Sequence, residues 1–197
     1  MNRRLEAIMA HIPQNGRGVI DVGTDHGYLP AALFQRGYIG KLIAADINAE
    51  PLSKAKRTAE SIGAEDVISL RLCDGLDGCD SSEVDTIVIA GMGGDTICGI
   101  LDRAEWCMAR EYTLILQPMT HPEILRKWLL DNGFSILGEL LSAEEHRIYQ
   151  TVCAAYAPDA CAAPYDDAEL LTGRAYPPEQ ADLHRALICK TRHTLTA

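Results

Sequence analysis

The chain has 197 residues, 47% of them hydrophobic and 23% charged, which is the composition of an ordinary soluble globular protein with room for one full domain and a small appendage. No segment approaches the roughly 18 uninterrupted apolar residues of a membrane helix, and no long apolar run follows the arginines of the N-terminus, so neither a membrane span nor a signal peptide is expected. A net charge of −10 counts against avid, sequence-independent nucleic-acid binding, although the stretch from His184 to the end carries basic residues and no acid.

In chain order, Leu5, Ile8, Met9 and Ile12 recur at helical spacing and predict an amphipathic helix over 2–12 that covers one sheet edge. Pro13-Gln-Asn-Gly16 breaks it. A strand over 18–22 is followed by a helix over 29–36, and a strand over 41–47 by a helix over 50–62 that Gly63 stops. A strand over 67–72 ends at Cys73-Asp-Gly75, and one over 84–90 ends at Gly91-Met-Gly-Gly94, from which a helix runs to Arg103. A strand over 112–117, closed by Pro118, and a helix over 122–131 complete the series. Strict alternation of strand and helix predicts a parallel sheet with right-handed crossovers.

The pattern then changes. Phe134–Leu141 and Arg147–Tyr156 are strand-like runs separated only by Ser142–His146, too short for a parallel crossover, which predicts an antiparallel hairpin. Residues 157–166 read as a linker and 179–195 as a last helix. The expected fold is α/β: a Rossmann-like, mostly parallel, seven-stranded sheet with a C-terminal antiparallel hairpin over residues 1–156, then a short linker and helical extension over 157–197. Five parallel strands plus a hairpin is the layout of class I S-adenosylmethionine (SAM) methyltransferases. Trp106 and Trp128 fall in helical regions and read as core. The seven cysteines (73, 79, 98, 107, 153, 161 and 189) contain no C-x-x-C pair, which predicts a reducing cytoplasm with no disulfide framework and no metal site.

The first glycine turn carries the chemistry. In a dinucleotide fingerprint the second glycine admits a pyrophosphate. Here the run is Gly23-Thr-Asp25-His-Gly27, so a carboxylate stands in that place. Asp25 would repel phosphates in a low-dielectric crevice and attract the sulfonium and ammonium of SAM; the plain alternative is a helix cap. Asp46 lies 23 positions after Gly23, where an acid grips ribose hydroxyls, with Ile47 beside it. Asp74-Gly75 suits the adenine edge. Asp21, between apolar neighbours in the first strand, is expected to bond the turn's own N–H groups. Gly91, Met92 and Gly93 offer close-approach backbone and a soft apolar side chain on the reaction side. His26 and Tyr28 flank Gly27, and Tyr28 suits stacking on a base. Gln117 and His121 are second-rank candidates at the end of the fifth strand.

These motifs occur together. Arg3-Arg-Leu5, Asp21-Val-Gly-Thr-Asp-His-Gly-Tyr-Leu-Pro30, Asp74-Gly75, Gly91-Met-Gly-Gly94, Leu116-Gln-Pro118, Asn132-Gly-Phe134 and Arg147-Ile-Tyr149 follow in order. Over about residues 2–156 the chain resembles the bacterial tRNA (adenine-N1) methyltransferases that act on adenine 22. The resemblance implies a SAM-binding loop at Asp21, Gly23, Asp25, His26 and Gly27, within which Thr24 is a further cofactor-binding candidate. It also implies a ribose acid at Asp46, an adenine-side pair at Asp74-Gly75 and a reaction-side loop at Gly91–Gly94. The chain departs from the family at Met119, where the family has Asn after Gln-Pro, and in the residues after Tyr156, where the family has a longer helical hairpin thought to grip tRNA.

Adenine N1 has a free lone pair at neutral pH, so the expected catalytic work is exposing and aligning the base. Asp25 is the expected stabiliser of the positive charge that reaches the ring, with His26 and Tyr28 beside it. The expected partners are SAM and a transiently bound tRNA, with no metal, no membrane, and a monomer favoured. The rival readings are a SAM methyltransferase with a non-tRNA substrate, a non-catalytic SAM- or nucleotide-binding module, and, disfavoured by Asp25 and the hairpin, an NAD enzyme.

Overall fold

The runs predicted as strands form one sheet in the order β3-β2-β1-β4-β5-β7-β6. The computed structural model describes residues 2–109, 111–160 and 163–195, the last three as backbone alone. β1 (Gly18–Val22), β2 (Lys41–Asp46), β3 (Ile68–Leu72), β4 (Thr86–Gly93) and β5 (Thr113–Thr120) run parallel; β6 (Phe134–Glu144) and β7 (Arg147–Tyr156) add an antiparallel edge. The chain order reverses direction across the sheet between β1 and β4, and that switch point opens a crevice at the carboxyl ends of the strands.

The central strands read as unbroken apolar runs because both faces of the sheet are covered. Alternate residues serve different cores. Ile20, Ile87, Ile89 and Leu114 pack with α4 (Gly94–Asp102) and α5 (Pro122–Asp131). Val19, Leu42, Val88 and Ile115 pack with α1 (Arg3–Met9), α2 (Tyr28–Gln35) and α3 (Ala49–Ser61). The Asn2 carboxamide starts α1, accepting from Arg4 N at 2.8 Å and Leu5 N at 3.4 Å. The helix ends at Met9, earlier than its apolar spacing suggests, but Ile8, Met9 and Ile12 are all buried as expected. Trp106 and Trp128 pack half-buried against the first core, Trp128 with its indole N–H on Asp102 at 2.8 Å.

Three strands run past their expected ends. β4 does not stop at Ala90: it continues through Gly91–Gly93, with register shifts at Met92 and Gly93 that a glycine-rich segment accommodates. β5 likewise runs past Pro118 to Thr120, the proline sitting at the irregular part of the ladder where its missing N–H does no harm. The hairpin is tighter than a five-residue loop, because β6 reaches Glu144 and only Glu145 (φ 51°) and His146 make the turn.

The region after β7 carries more structure than a linker and one helix. The described parts of 157–166 hold no helix or strand, residues 161–162 (and so Cys161) lying outside the described residues. A capping box at Asp166 and Glu169 then starts α6 (Asp167–Thr172), and α7 spans Ala181–Leu195. This segment is fastened to the sheet edge. Glu139 N donates to Ala175 O at 3.0 Å, and the Gln180 carboxamide bonds both backbone groups of Leu141, at 2.7 and 3.0 Å. The outer edge of β6 is thereby occupied at Glu139 and Leu141, which shortens the template for edge-to-edge pairing.

Candidate active site

β1 delivers the chain into a loop that regular backbone cannot form: Gly23, Asp25 and Gly27 all have left-handed φ, at 72°, 50° and 69°. Gly23 N and Thr24 N donate to Ala45 O at 2.8 and 3.0 Å, which ties the loop to the end of β2. A side chain at 23 would collide with the Met92 methyl group, so the glycine is what lets Met92 of β4 lie over the loop. A side chain at 27 would crowd Ala55 of α3.

The helix-cap reading of Asp25 fails on geometry. The N-cap of α2 is Gly27, and no side chain caps it. The Asp25 side chain is 67% exposed, with His26 Nε2 3.7 Å from its carboxylate. A non-glycine residue held in the left-handed region at this cost, of order 1–3 kcal/mol, marks a position set by more than local preference. His26 stacks on Tyr28, centroids 5.2 Å apart and planes 7° from parallel, and Tyr28 remains 60% exposed.

Asp21 is buried, but its partner is not the one expected. The N–H groups of Gly23 and Thr24 are taken by Ala45, and Asp21 accepts instead from the Thr24 hydroxyl at 2.6 Å. Burial pushes its carboxyl up to about 6; the Thr24 hydrogen bond pulls it down, the Asp46 carboxylate raises it, and Arg4 lowers it. Arg4 was not among the predicted site residues, because helical periodicity reads α1 as packing alone. Its guanidinium nonetheless lies near Gly91 and 5.5 Å from the centroid of the Tyr149 ring.

These groups line one cleft of about 530 Å³ beneath α1, which brings together Asp21, Gly23, Thr24, Asp25, His26 and Tyr28. Asp46 stands beside it, with Oδ2 accepting from Asp25 N at 3.4 Å and Oδ1 from Asn48 N at 2.9 Å. A carboxylate has about four lone-pair sites, so hydroxyl donors still find acceptors there. Ile47 and Leu72 are 60% and 63% exposed at the ends of adjacent strands, where Asp46 and Leu72 are ladder partners. Leu72 escaped the sequence reading; the signal was an apolar residue closing β3 directly before Cys73-Asp-Gly75. In the turn that follows Leu72, Asp74 is engaged by Arg103 at 2.9 Å, and Gly75 (φ 60°) packs against Ile100.

On the opposite side Gly91 (φ 81°), Met92 and Gly93 form the bulged end of β4, and a side chain at Gly94 would collide with the His121 carbonyl of β5's exit. Gln117 is fully buried, its amide nitrogen on Pro118 O at 2.9 Å and its carboxamide oxygen without a hydrogen-bond partner among the described residues. His121 (φ 53°) faces outward, bonded to Glu123 at 3.1 Å. Burial raises the thiols of Cys98, Cys107 and Cys153 to about 11 and that of Cys79 to about 12, so these cysteines stay protonated and act as small hydrophobes. Among the described residues no group of three or more His, Cys, Asp or Glu side chains is arranged to hold a metal.

The chemistry of this cleft suits a cationic, phosphate-free cofactor. Two carboxylates, Asp21 and Asp25, line it, while Asp46 and the exposed Ile47 and Leu72 lie outside its lining, at the ends of β2 and β3. Comparison with known proteins agrees. Residues 1–152 match the family described as a methyltransferase domain. The chain is 35% identical over 190 residues to the tRNA (adenine(22)-N(1))-methyltransferase of Bacillus subtilis strain 168, spanning 96% of this chain and 79% of that protein. The chain belongs to the bacterial tRNA (adenine(22)-N1)-methyltransferase family. Solved structures place the fold in the same family. The B. subtilis M1A22 tRNA methyltransferase TrmK superposes with a TM-score of 0.85 at 30% identity, covering 100% of this chain and 85% of that one. Streptococcus pneumoniae Sp1610 in complex with S-adenosyl-L-methionine also gives 0.85 at 30% identity, covering 98% and 87%.

Proposed function

We propose that this family member transfers the methyl group of SAM to N1 of adenine 22 in tRNA. The observation that carries the reading is the carboxylate-lined glycine loop of β1 facing Met92 and the bulged end of β4, in a chain 35% identical to a tRNA (adenine(22)-N(1))-methyltransferase.

SAM, when bound, supplies an electrophilic methyl group on a positively charged sulfur. Asp46 would hold the ribose hydroxyls, Ile47 with Leu72 and the Asp74-Gly75 turn would bound the adenine, and Asp21 with Thr24 and the Gly23 backbone would receive the methionine end. Gly91, Met92 and Gly93 close the reaction side. Adenine N1 needs no base to become a nucleophile, so the enzyme's contribution would be to expose the base and orient N1 toward the methyl group. The stacked His26–Tyr28 pair offers an exposed aromatic face for the flipped base, a contact worth roughly 1–3 kcal/mol per base. The Asp25 carboxylate would stabilise positive charge developing on the ring and would accept from the N6 amine. Residues 1–156 form the catalytic unit in this reading, and 157–197 are the extension that meets RNA. A cytoplasmic monomer is part of the same proposal.

The test is direct. The protein is incubated with SAM and unmodified tRNA, and N1-methyladenine is mapped by its block to reverse transcription. The expected result is a stop at position 22 of the tRNA that disappears when the transcript carries guanine there. Methyl incorporation that survives this base replacement, or none on any tRNA, would sink the reading.

A further inference from the structure

One groove in the molecule differs electrically from the other large clefts. It measures about 450 Å³ and lies where β5 ends, β7 begins and α7 crosses above them. Met119, Tyr149 and Leu187 give it apolar walls, Thr120 a hydroxyl, and Arg147 and Lys190 two cations; no carboxylate lines it. Four other clefts each contain at least one acid: Asp21 and Asp25 in the cofactor cleft, and Asp131, Glu65 with Asp66, and Asp166 with Glu169 in the rest. In a chain of net charge −10, a two-cation, acid-free groove is a local exception.

The way the cations are held also distinguishes them from ordinary surface charge. Glu144 faces Arg147 across the hairpin and is the natural ion-pair partner, but it is turned toward α1, where it accepts from Arg4 N at 3.1 Å. The exposed Arg147 guanidinium is left with no hydrogen bond or ion pair among the described residues. Lys190 donates to His146 O at 2.5 Å, which fixes its three-donor ammonium at the groove wall. The groove also adjoins the reaction site. Pro118 and Thr120 are the ladder partners of Met92 and Gly93, so it begins one strand spacing, about 5 Å, from the end of β4.

We infer that this groove is an RNA subsite. It holds a nucleotide flanking the target adenine, with the phosphate on Arg147 and Lys190 and the base against Met119, Leu187 and Tyr149. The inference rests on the tRNA reading above and adds where the strand runs once the target base has left it: from the His26–Tyr28 face, past β4, and along the β5–α7 junction. It also reconciles an acidic protein with a polyanionic substrate, because phosphate contact is confined to one short track.

The test combines Arg147→Ala with Lys190→Gln and measures tRNA binding in the presence of SAM between 50 and 200 mM salt, alongside SAM binding by calorimetry. Two lost phosphate contacts are expected to weaken tRNA binding at least tenfold at low salt, and to flatten the slope of log K against log salt by about 1.5, at roughly 0.7–0.9 per contact. SAM affinity should stay within twofold, which also reports that the variant is folded, and Arg147→Lys should recover most of the slope. Unchanged affinity and slope in the double variant overturn the subsite even if the wild type methylates adenine 22. Salt-dependent tRNA binding lost in the variant, by a wild type that leaves adenine 22 unmethylated, would keep the subsite and discard the proposed reaction. A wild type that binds no tRNA overturns both.

Discussion

Glu139 on β6 and Asp21 on β1 are both buried carboxylates, and the regions around them differ in how each is satisfied. Glu139 is sealed in with Arg126, which has no exposed surface: Arg126 Nε and a terminal nitrogen donate to Oε1 at 2.8 and 2.5 Å, and the backbone N–H groups of Arg174 and Ala175 donate to Oε2 at 2.9 and 3.0 Å. Arg126 also donates to Gln150 and Leu170 O at 2.7 and 2.8 Å, so one cluster pins α6 and the following segment to the sheet. Asp21 receives one side-chain hydrogen bond, from Thr24, and has a second carboxylate, Asp46, near it. At the edge of the sheet charge is neutralised internally and becomes structure. At the carboxyl ends of the strands it is left under-satisfied, and a cationic ligand relieves it.

The sharpest way to break this contrast is to remove one side of the edge cluster. Arg126→Ala leaves Glu139 buried without its counter-charge and is expected to lower the free energy of unfolding by about 3–5 kcal/mol. Urea denaturation checks it. Replacing Arg126 by Met and Glu139 by Leu together removes both charges and should recover only part of that loss, because the N–H groups of Arg174 and Ala175 and the Leu170 carbonyl then lose their partners. A single-variant loss under about 1 kcal/mol would mean the cluster behaves like a surface pair.

The corresponding test at Asp21 has a smaller effect and is read through pH. Its carboxyl titrates at about 6 in the folded protein and near 3.8 when unfolded, so the folded state holds the proton more tightly. Stability associated with the neutral form is therefore present below pH 4 and lost as pH rises to 6, by about 3 kcal/mol over that window. Ligand binding runs the other way. A sulfonium and an ammonium favour ionised Asp21, so SAM affinity should fall toward tenfold per pH unit below about pH 6. Asp21→Asn should bind SAM more weakly at pH 7, and its affinity should change less between pH 5 and 7 than that of the wild type. A pH profile identical to that of the wild type would remove Asp21 from the cofactor site.

How much of this was legible in the sequence follows from which interactions are local. The parallel sheet, its hairpin and the loop at Gly23–Gly27 depend on period, breakers and glycine spacing within a few residues, and the sequence carries them. The Arg126–Glu139–Gln150 cluster joins three elements through contacts 13 and 24 residues apart, and in the sequence those residues look like ordinary surface polar positions. Asp21 was recognisable as a costly buried acid, but its partner was not, because the choice between the turn's N–H groups and the Thr24 hydroxyl depends on where Ala45 of β2 sits. Arg4 was missed for a similar reason: only the packing of α1 over the sheet brings its guanidinium toward Gly91. The extension of β4 through Gly91–Gly93 was hidden because glycines ordinarily end a strand, whereas here β5 supplies partners across the irregular steps.

Asp25 is the finest test of the comparison, since it is the exposed counterpart of Asp21 in the same loop. Its left-handed backbone would confuse most substitutions, but asparagine tolerates that conformation well, so Asp25→Asn removes charge with little change in shape. If Asp25 stabilises the charge developing on the adenine ring, kcat for tRNA methylation should fall about tenfold, near 1.4 kcal/mol, with SAM affinity unchanged. If it serves the sulfonium of bound SAM instead, affinity should fall and kcat at saturation hold. A kcat within about threefold of wild type, with SAM affinity intact, removes Asp25 from the reaction. Asp21 would then be the only acid of this loop left with a proposed role toward the cofactor.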